Sequence, residues 1–120
     1  MQSNQLVEII KQALDDAKAQ NINVLDVRNL TDVTDYMVVA SGTSNRQVAS
    51  IAQRAVEMAK QNGVRPFGEE GTQAGEWALV DLGDVVVHVM QPTVREFYQL
   101  ENFWTDHRPE RKAAVASARS

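Results

Sequence analysis

The chain has 120 residues, is 43% hydrophobic, carries a formal charge of −4 and has no cysteine. A domain of that size buries a modest core, and the missing cysteine excludes a disulfide framework, a thiolate metal site and a cysteine nucleophile while suiting a reducing compartment. No stretch approaches the roughly 18–20 apolar residues of a membrane span, and Met1-Gln2-Ser3-Asn4 lacks the basic start and apolar core of a secretory signal, so the expected location is the cytoplasm.

Residues 5–20 read as an amphipathic helix, with Leu6, Ile9, Ile10, Ala13, Leu14 and Ala17 at helical spacing and Glu8, Lys11, Asp15 and Lys18 opposite. Asn23 to Val27 is short and β-branched and predicts a strand. Residues 28–34 are polar and turn-like. Asp35 to Ala40 does not alternate, which predicts a strand buried on both faces. In the next run, Ser41 to Gln47, Gly42 permits a tight strand-to-helix turn, and Ser44 with Gln47 fits a capping box. Val48, Ile51, Ala52, Ala55 and Ala59 give the face of the following helix, and Gly63 stands just past its end.

Residues 64–75, rich in Gly and Glu, predict a brief strand and a loop. Glu76–Asp81 and Asp84–Met90 predict two strands joined by Leu82-Gly83, with Gly83 at positive φ. Thr93 and Glu96 fit a second capping box, and Val94, Phe97, Leu100 and Trp104 share one side of a closing helix. Residues 107–120 hold Arg108, Arg111, Lys112 and Arg119 against Glu110 and show no apolar period, so a disordered basic tail is expected after a domain over 1–106. The first 106 residues carry 8 basic and 15 acidic groups, a balance of −7. An acidic body repels phosphate and suits a basic protein surface, although such a charge also serves solubility alone. The whole predicts one α/β domain, a mixed sheet of about five strands packed with three helices.

The Gly42-Thr43-Ser44 turn at a helix start could hold a phosphate, but the second Gly and the Lys of a P-loop are missing. A strand, a Gly/Ser turn and a helix also open nucleotidyltransferases, which need two or three carboxylates for Mg²⁺. The Asp-x-Asp they carry on the next strand is absent, and the adjacent Glu69 and Glu70 would point to opposite faces of a strand. Asp81 and Asp84 flank a turn, where such residues either bind a cation or hydrogen-bond the turn's own backbone. His88 has no companion ligands for a metal or for a Ser/His/Asp set, leaving a buried or an interface role. Trp77 and Tyr98 are either core or half-covered interface anchors. No catalytic residue, metal or cofactor is expected.

These stretches together resemble one family. Thr34 to Ser44 is similar to an Asp-Tyr/Phe strand running into a Gly-Thr-Ser turn; Gly68-Glu69-Glu70-Gly71 with Glu76-Trp77 resembles a Glu-Gly loop and its Trp. Asp81 to Met90 resembles the most characteristic run, and Arg95 to Glu101 with Trp104 the closing helix, so that the likeness spans about residues 5–105. The family is that of the ribosomal silencing factors, also called Iojap. The resemblance implies a nucleotidyltransferase-like topology without catalytic carboxylates. It also implies binding to the large ribosomal subunit through that subunit's fourteenth protein, and steric exclusion of the small subunit when nutrients are short. Family members are often dimers, which makes a homodimer an open expectation; a divergent nucleotidyltransferase is the competing reading.

The expected partner-binding residues are Trp77, Asp81, His88, Met90, Tyr98 and Glu101. Trp77, Leu79 and Asp81 share a strand face, as do Val86, His88 and Met90, while Tyr98 and Glu101 are helix neighbours. Trp77, Met90 and Tyr98 are expected to supply apolar contact, and Asp81 and Glu101 to meet Lys or Arg of the ribosomal protein.

Overall fold

The computed structural model describes residues 2–72 and 75–105. The elements run α1 (Ser3–Asp16), β1 (Gln20–Asp26), β2 (Tyr36–Ser41), α2 (Asn45–Gln61), β3 (Gly68–Glu70), β4 (Trp77–Asp81), β5 (Val85–Met90), α3 (Pro92–Tyr98) and α4 (Leu100–Thr105). The sheet order is β1-β2-β5-β4-β3. β2 and β5 run parallel, which the crossover through α2 makes possible, and the other pairs are antiparallel. This is the α/β class expected, with five strands in a mixed sheet.

The side chains of α1 and α2 cover one face of that sheet. Leu6, Ile10 and Leu14 of α1 and Val48, Ile51 and Ala55 of α2 pack with Val38, Ala40, Ala78, Val80, Val87 and Val89 in one cluster. A smaller cluster lies on the other face: Val27, Met37, Val39 and Met90, with Leu25, Leu30, Trp77, Val94 and Leu100 against it. Strands β2 and β5 are therefore buried from both sides, as the unbroken apolar run at Asp35–Ala40 predicts. Among the described residues no helix is long and apolar enough to cross a membrane. The tail expected over 107–120 lies outside the described residues.

Strand β1 runs Gln20–Asp26 rather than Asn23–Val27, and three helix boundaries differ from expectation. Helix α1 stops at Asp16 rather than running to Gln20, because Lys18 turns left-handed at φ 66°. Its N–H donates to the Asp15 carbonyl and that of Ala19 to the Leu14 carbonyl, both at 2.9 Å, which closes the helix end. Helix α3 starts at Pro92 with Gln91 as N-cap and no side-chain cap, so the expected Thr93–Glu96 box does not form. Proline at the first helical position lacks the N–H that a cap would satisfy. The single closing helix is two short ones, broken at Gln99, whose φ of 47° and ψ of 45° are left-handed.

Candidate partner-binding site

The strand register puts the expected residues on one surface. Trp77 pairs with Met90, Leu79 with His88 and Asp81 with Val86, and paired residues share a face. Along β4 burial alternates, with Ala78 and Val80 buried toward α2 and Trp77, Leu79 and Asp81 half-buried on the other side. The period-two argument for Trp77, Leu79 and Asp81 therefore holds, and β5 contributes to the same face.

Four rings climb out of this face. His88 is 2% exposed, in the middle of the sheet. The Trp77 indole Nε1–H donates to His88 Nδ1 at 2.9 Å, with ring centroids 5.7 Å apart. The bond requires Nδ1 to be unprotonated. Trp77 then stacks obliquely on Tyr98 at 4.9 Å, and Tyr98 on the edge of Phe97 at 5.0 Å. Tyr98 is 50% exposed and Phe97 80%. Their backbone is set by α3, which begins where β5 ends: the Gln91 N–H donates to the Glu76 carbonyl at 3.0 Å. His88 and Trp77 are held by packing, so they have little side-chain entropy to lose on binding, whereas Phe97, among the described residues, is held only by its edge contact with Tyr98.

Four expected contacts are engaged inside the chain, the first being His88, which is buried in the sheet and accepts from Trp77 instead of reaching the surface. Met90 is fully buried beneath Trp77, so it supports the surface instead of forming it. Asp81 Oδ1 accepts the Gly83 N–H at 2.9 Å, the turn-stabilising role weighed for it, although the residue remains half-exposed. Glu101 does not point to solvent: Arg95 Nε donates to its Oε1 at 2.7 Å and Arg95 Nη2 to its Oε2 at 3.0 Å, while Asn23 Nδ2 donates to Oε2. The break at Gln99 turns Glu101 back toward β1. Hydrogen bonds from Arg95, opposed by partial burial and reinforced by Asn23, hold its carboxyl below the ordinary value of 4.5. Arg95 Nη1 also donates to the buried Ser41 Oγ at 2.9 Å, which ties α3 and α4 to the end of β2.

Phe97 is an exposed aromatic that the sequence reading places in the core. Its spacing with Val94 and Leu100 places it on a core stripe if the helix continues. Val94 and Leu100 do pack on the sheet, but Phe97 does not.

The carboxylates offered for nucleotidyl transfer are Glu69, Glu70 and Asp81, and they are divided between the two faces of the sheet. Glu69 pairs with Val80 and so lies on the α2 side, whereas Glu70, paired with Leu79, lies on the opposite side with Asp81. Among the described residues no group of three His, Asp or Glu side chains is placed to hold a metal. At the start of α2 the Gln47 N–H is taken by Ser44 Oγ at 3.1 Å, and the Thr43 N–H and hydroxyl by Gln47 Oε1. Gly42 is there for close packing, since a Cβ would sit 3.0 Å from the Val48 nitrogen.

A model of the family described as ribosomal silencing factor during starvation matches residues 1–120. The chain is 43% identical over 109 residues to the ribosomal silencing factor RsfS of Chromobacterium violaceum, covering 91% of this chain and 89% of that one. It is 39% identical to the protein of the same name from Bacillus subtilis, over 88% of this chain and 90% of that one. A crystal structure of a Chromobacterium violaceum protein superposes with a TM-score of 0.86 at 43% identity, covering 91% of each chain. The chain belongs to the ribosomal silencing factor family.

Proposed function

We propose that this protein binds the large ribosomal subunit through the subunit's fourteenth protein, using the sheet face that carries Trp77, Leu79, Tyr98 and Phe97. Bound there, it occludes the surface that the small subunit needs and represses translation when nutrients are limited. The reading rests on the family, and on a mouse relative, 36% identical over 82% of this chain, named mitochondrial assembly of ribosomal large subunit protein 1.

The observation that carries it is the exposed Phe97–Tyr98 pair stacked on half-buried Trp77. Aromatic anchors at the centre of an interface, ringed by polar groups, supply most of its affinity. Here the ring is acidic, with Glu70, Glu76, Asp81 and Glu96 exposed or half-exposed nearby in the chain, which complements a basic protein and speeds its approach. Steric exclusion asks no chemistry of the site. Sedimentation of purified large subunits with the full chain tests the reading, together with light scattering of subunit joining. Co-migration and slower joining are expected; joining at the unperturbed rate with saturating protein would sink it.

A further inference from the structure

The charge of the body is unevenly spread along the chain: α2 is basic, whereas α1 beside it on the same face of the sheet holds Glu8, Asp15 and Asp16 against Lys11. Residues 45–66, which are α2 and its exit, hold Arg46, Arg54, Lys60 and Arg65 against Glu57 alone, a balance of +3. The remainder of the first 106 residues holds 4 basic and 14 acidic groups, a balance of −10. Helix α2 lies on the sheet face opposite Trp77, with Val48, Ile51, Ala52, Ala55, Val56 and Ala59 inward. Its outward stripe runs from Arg46 to Lys60, about 21 Å at 1.5 Å per residue, and Arg65 extends it beyond the helix end.

Helix stability accounts for only part of this stripe. Lys60 in the last turn suits the helix dipole, and Arg54 lies 3.6 Å from Glu57. Arg46 sits in the first turn, where the dipole disfavours a cation and where α2 has no acid. Among the described residues neither Arg46 nor Arg65 forms an ion pair, and both are exposed. Lys60 and Arg65 line a depression together with Gly63, Pro66 and Glu69, so one carboxylate stands among its two cations. The exposed cations are thus left by the fold for something outside it.

We infer that the α2 face is a second docking surface and that its occupant is an RNA phosphate backbone. The argument is charge complementarity: a row of cations spaced along one helix is the footprint of a polyanion, and phosphate contacts position a protein without reading sequence. The inference rests on the proposed function for the source of the phosphates, the RNA of the same subunit, but it uses side chains on the opposite layer. Protein would be held by the acidic aromatic face and RNA by the basic helix.

The test combines Arg46→Gln, Lys60→Gln and Arg65→Gln in the full chain, all at exposed positions, with the melting temperature as the check on folding. Binding to purified large subunits is followed across a KCl series. Each phosphate contact contributes about 0.9 to the slope of log K against log salt on a duplex and about 0.7 on a single strand. The variant is expected to lose about 2 from the slope, and at low salt to bind roughly tenfold or more weakly. Its binding to the isolated fourteenth protein, which has no phosphate, is expected to be unchanged. An unaltered slope overturns the inference, even if Phe97→Ala abolishes subunit binding. A variant that keeps the slope but loses self-association in sedimentation velocity also overturns it, because the occupant is then a second copy of this chain. If instead Phe97→Ala and Tyr98→Ala leave subunit binding intact while the slope falls, the sheet-face reading fails and this inference stands.

Discussion

Arg95 and Glu101 close a two-pronged ion pair across the left-handed turn at Gln99, with nitrogen–oxygen distances of 2.7 and 3.0 Å. Only 15% and 21% of the two side chains is exposed, so the pair is better shielded than the surface pairs of this chain. It joins α3 to α4 and, through Ser41, to β2. Glu101→Gln is expected to cost about 1–3 kcal/mol, the range for hydrogen bonds to charged groups left partly unmet. Urea denaturation measures it directly, and a change below about 0.3 kcal/mol would show that water replaces the carboxylate freely.

The same pair sets a pH dependence. The Glu101 carboxyl is held below its ordinary value of 4.5, first by hydrogen bonds from Arg95. A carboxylate depressed in the folded state stabilises the fold above the unfolded value, and loses that contribution as pH falls through the folded one. Stability is therefore expected to decline below about pH 4.5 more steeply in wild type than in Glu101→Gln. Asp26 is depressed in the same direction by its hydrogen bonds from Arg28, but it is largely exposed and solvent screens it. Asp26→Asn should therefore leave the acid limb nearly unmoved. Parallel acid limbs for wild type and Glu101→Gln would contradict the assignment.

Phe97 gives a cleaner test of the binding surface than Trp77. Trp77 is half-buried, hydrogen-bonded to His88 and packed above Met90, so Trp77→Ala is expected to lose about 2–3 kcal/mol of stability as well as binding. Phe97 is 80% exposed and touches Tyr98. Phe97→Ala is expected to change stability by less than about 0.5 kcal/mol and to weaken binding to large subunits by about 1–2 kcal/mol. Calorimetric melting and subunit sedimentation, run on one preparation, separate the two properties. Wild-type affinity in Phe97→Ala would remove this residue from the surface.

Much of the architecture can be read from residue order because it rests on periodicity. The alternation of Trp77 to Asp81 and the unbroken run from Tyr36 to Ala40 each state how many faces of a strand are covered, and the fold agrees. Gly83 is legible for a different reason, since its φ of 87° belongs to glycine. What escapes the sequence is the left-handed residue that is not glycine. Lys18, Asn21 and Gln99 all have positive φ, and of these only Asn has any composition signal for it. Each one moves a boundary or a surface. Lys18 ends α1, Asn21 lies in the irregular register of β1, and Gln99 splits the closing helix and turns Glu101 inward. The aromatic face of the sheet can be placed by the two-residue period, but the direction in which Glu101 turns depends on that one backbone angle.

Lys18 offers a test of this point. A non-glycine residue in the left-handed region costs about 1–2 kcal/mol, of which glycine's greater freedom in the unfolded chain takes back a part. Lys18→Gly is therefore expected to stabilise the protein by about 0.5–1 kcal/mol. Lys18→Ala, which keeps the strain, should not. Chemical denaturation of both variants decides it, and equal stabilities would show that the lysine side chain, rather than its backbone angle, matters at the end of α1.

Gly42 separates packing from anion binding at the start of α2. A Cβ there would stand 3.0 Å from the Val48 backbone nitrogen, 3.1 Å from Val48 Cγ2 and 3.2 Å from Ile51 Cδ1. The Ile51 methyl can swing aside, but the backbone nitrogen moves only with the whole helix. Gly42→Ala is thus expected to push α2 off the sheet and to cost about 1–3 kcal/mol, as overpacking does. If the turn were a phosphate cradle instead, inorganic phosphate or a nucleoside triphosphate would stabilise wild type, and the substitution would abolish that effect. The side chains of Ser44 and Gln47 already occupy the Gln47 and Thr43 N–H groups. No rise in melting temperature is therefore expected with millimolar nucleoside triphosphate and Mg²⁺, nor any transfer of labelled nucleotide. A ligand-dependent rise that disappears in Gly42→Ala would restore the nucleotidyltransferase reading, whatever the loss of stability in the absence of ligand.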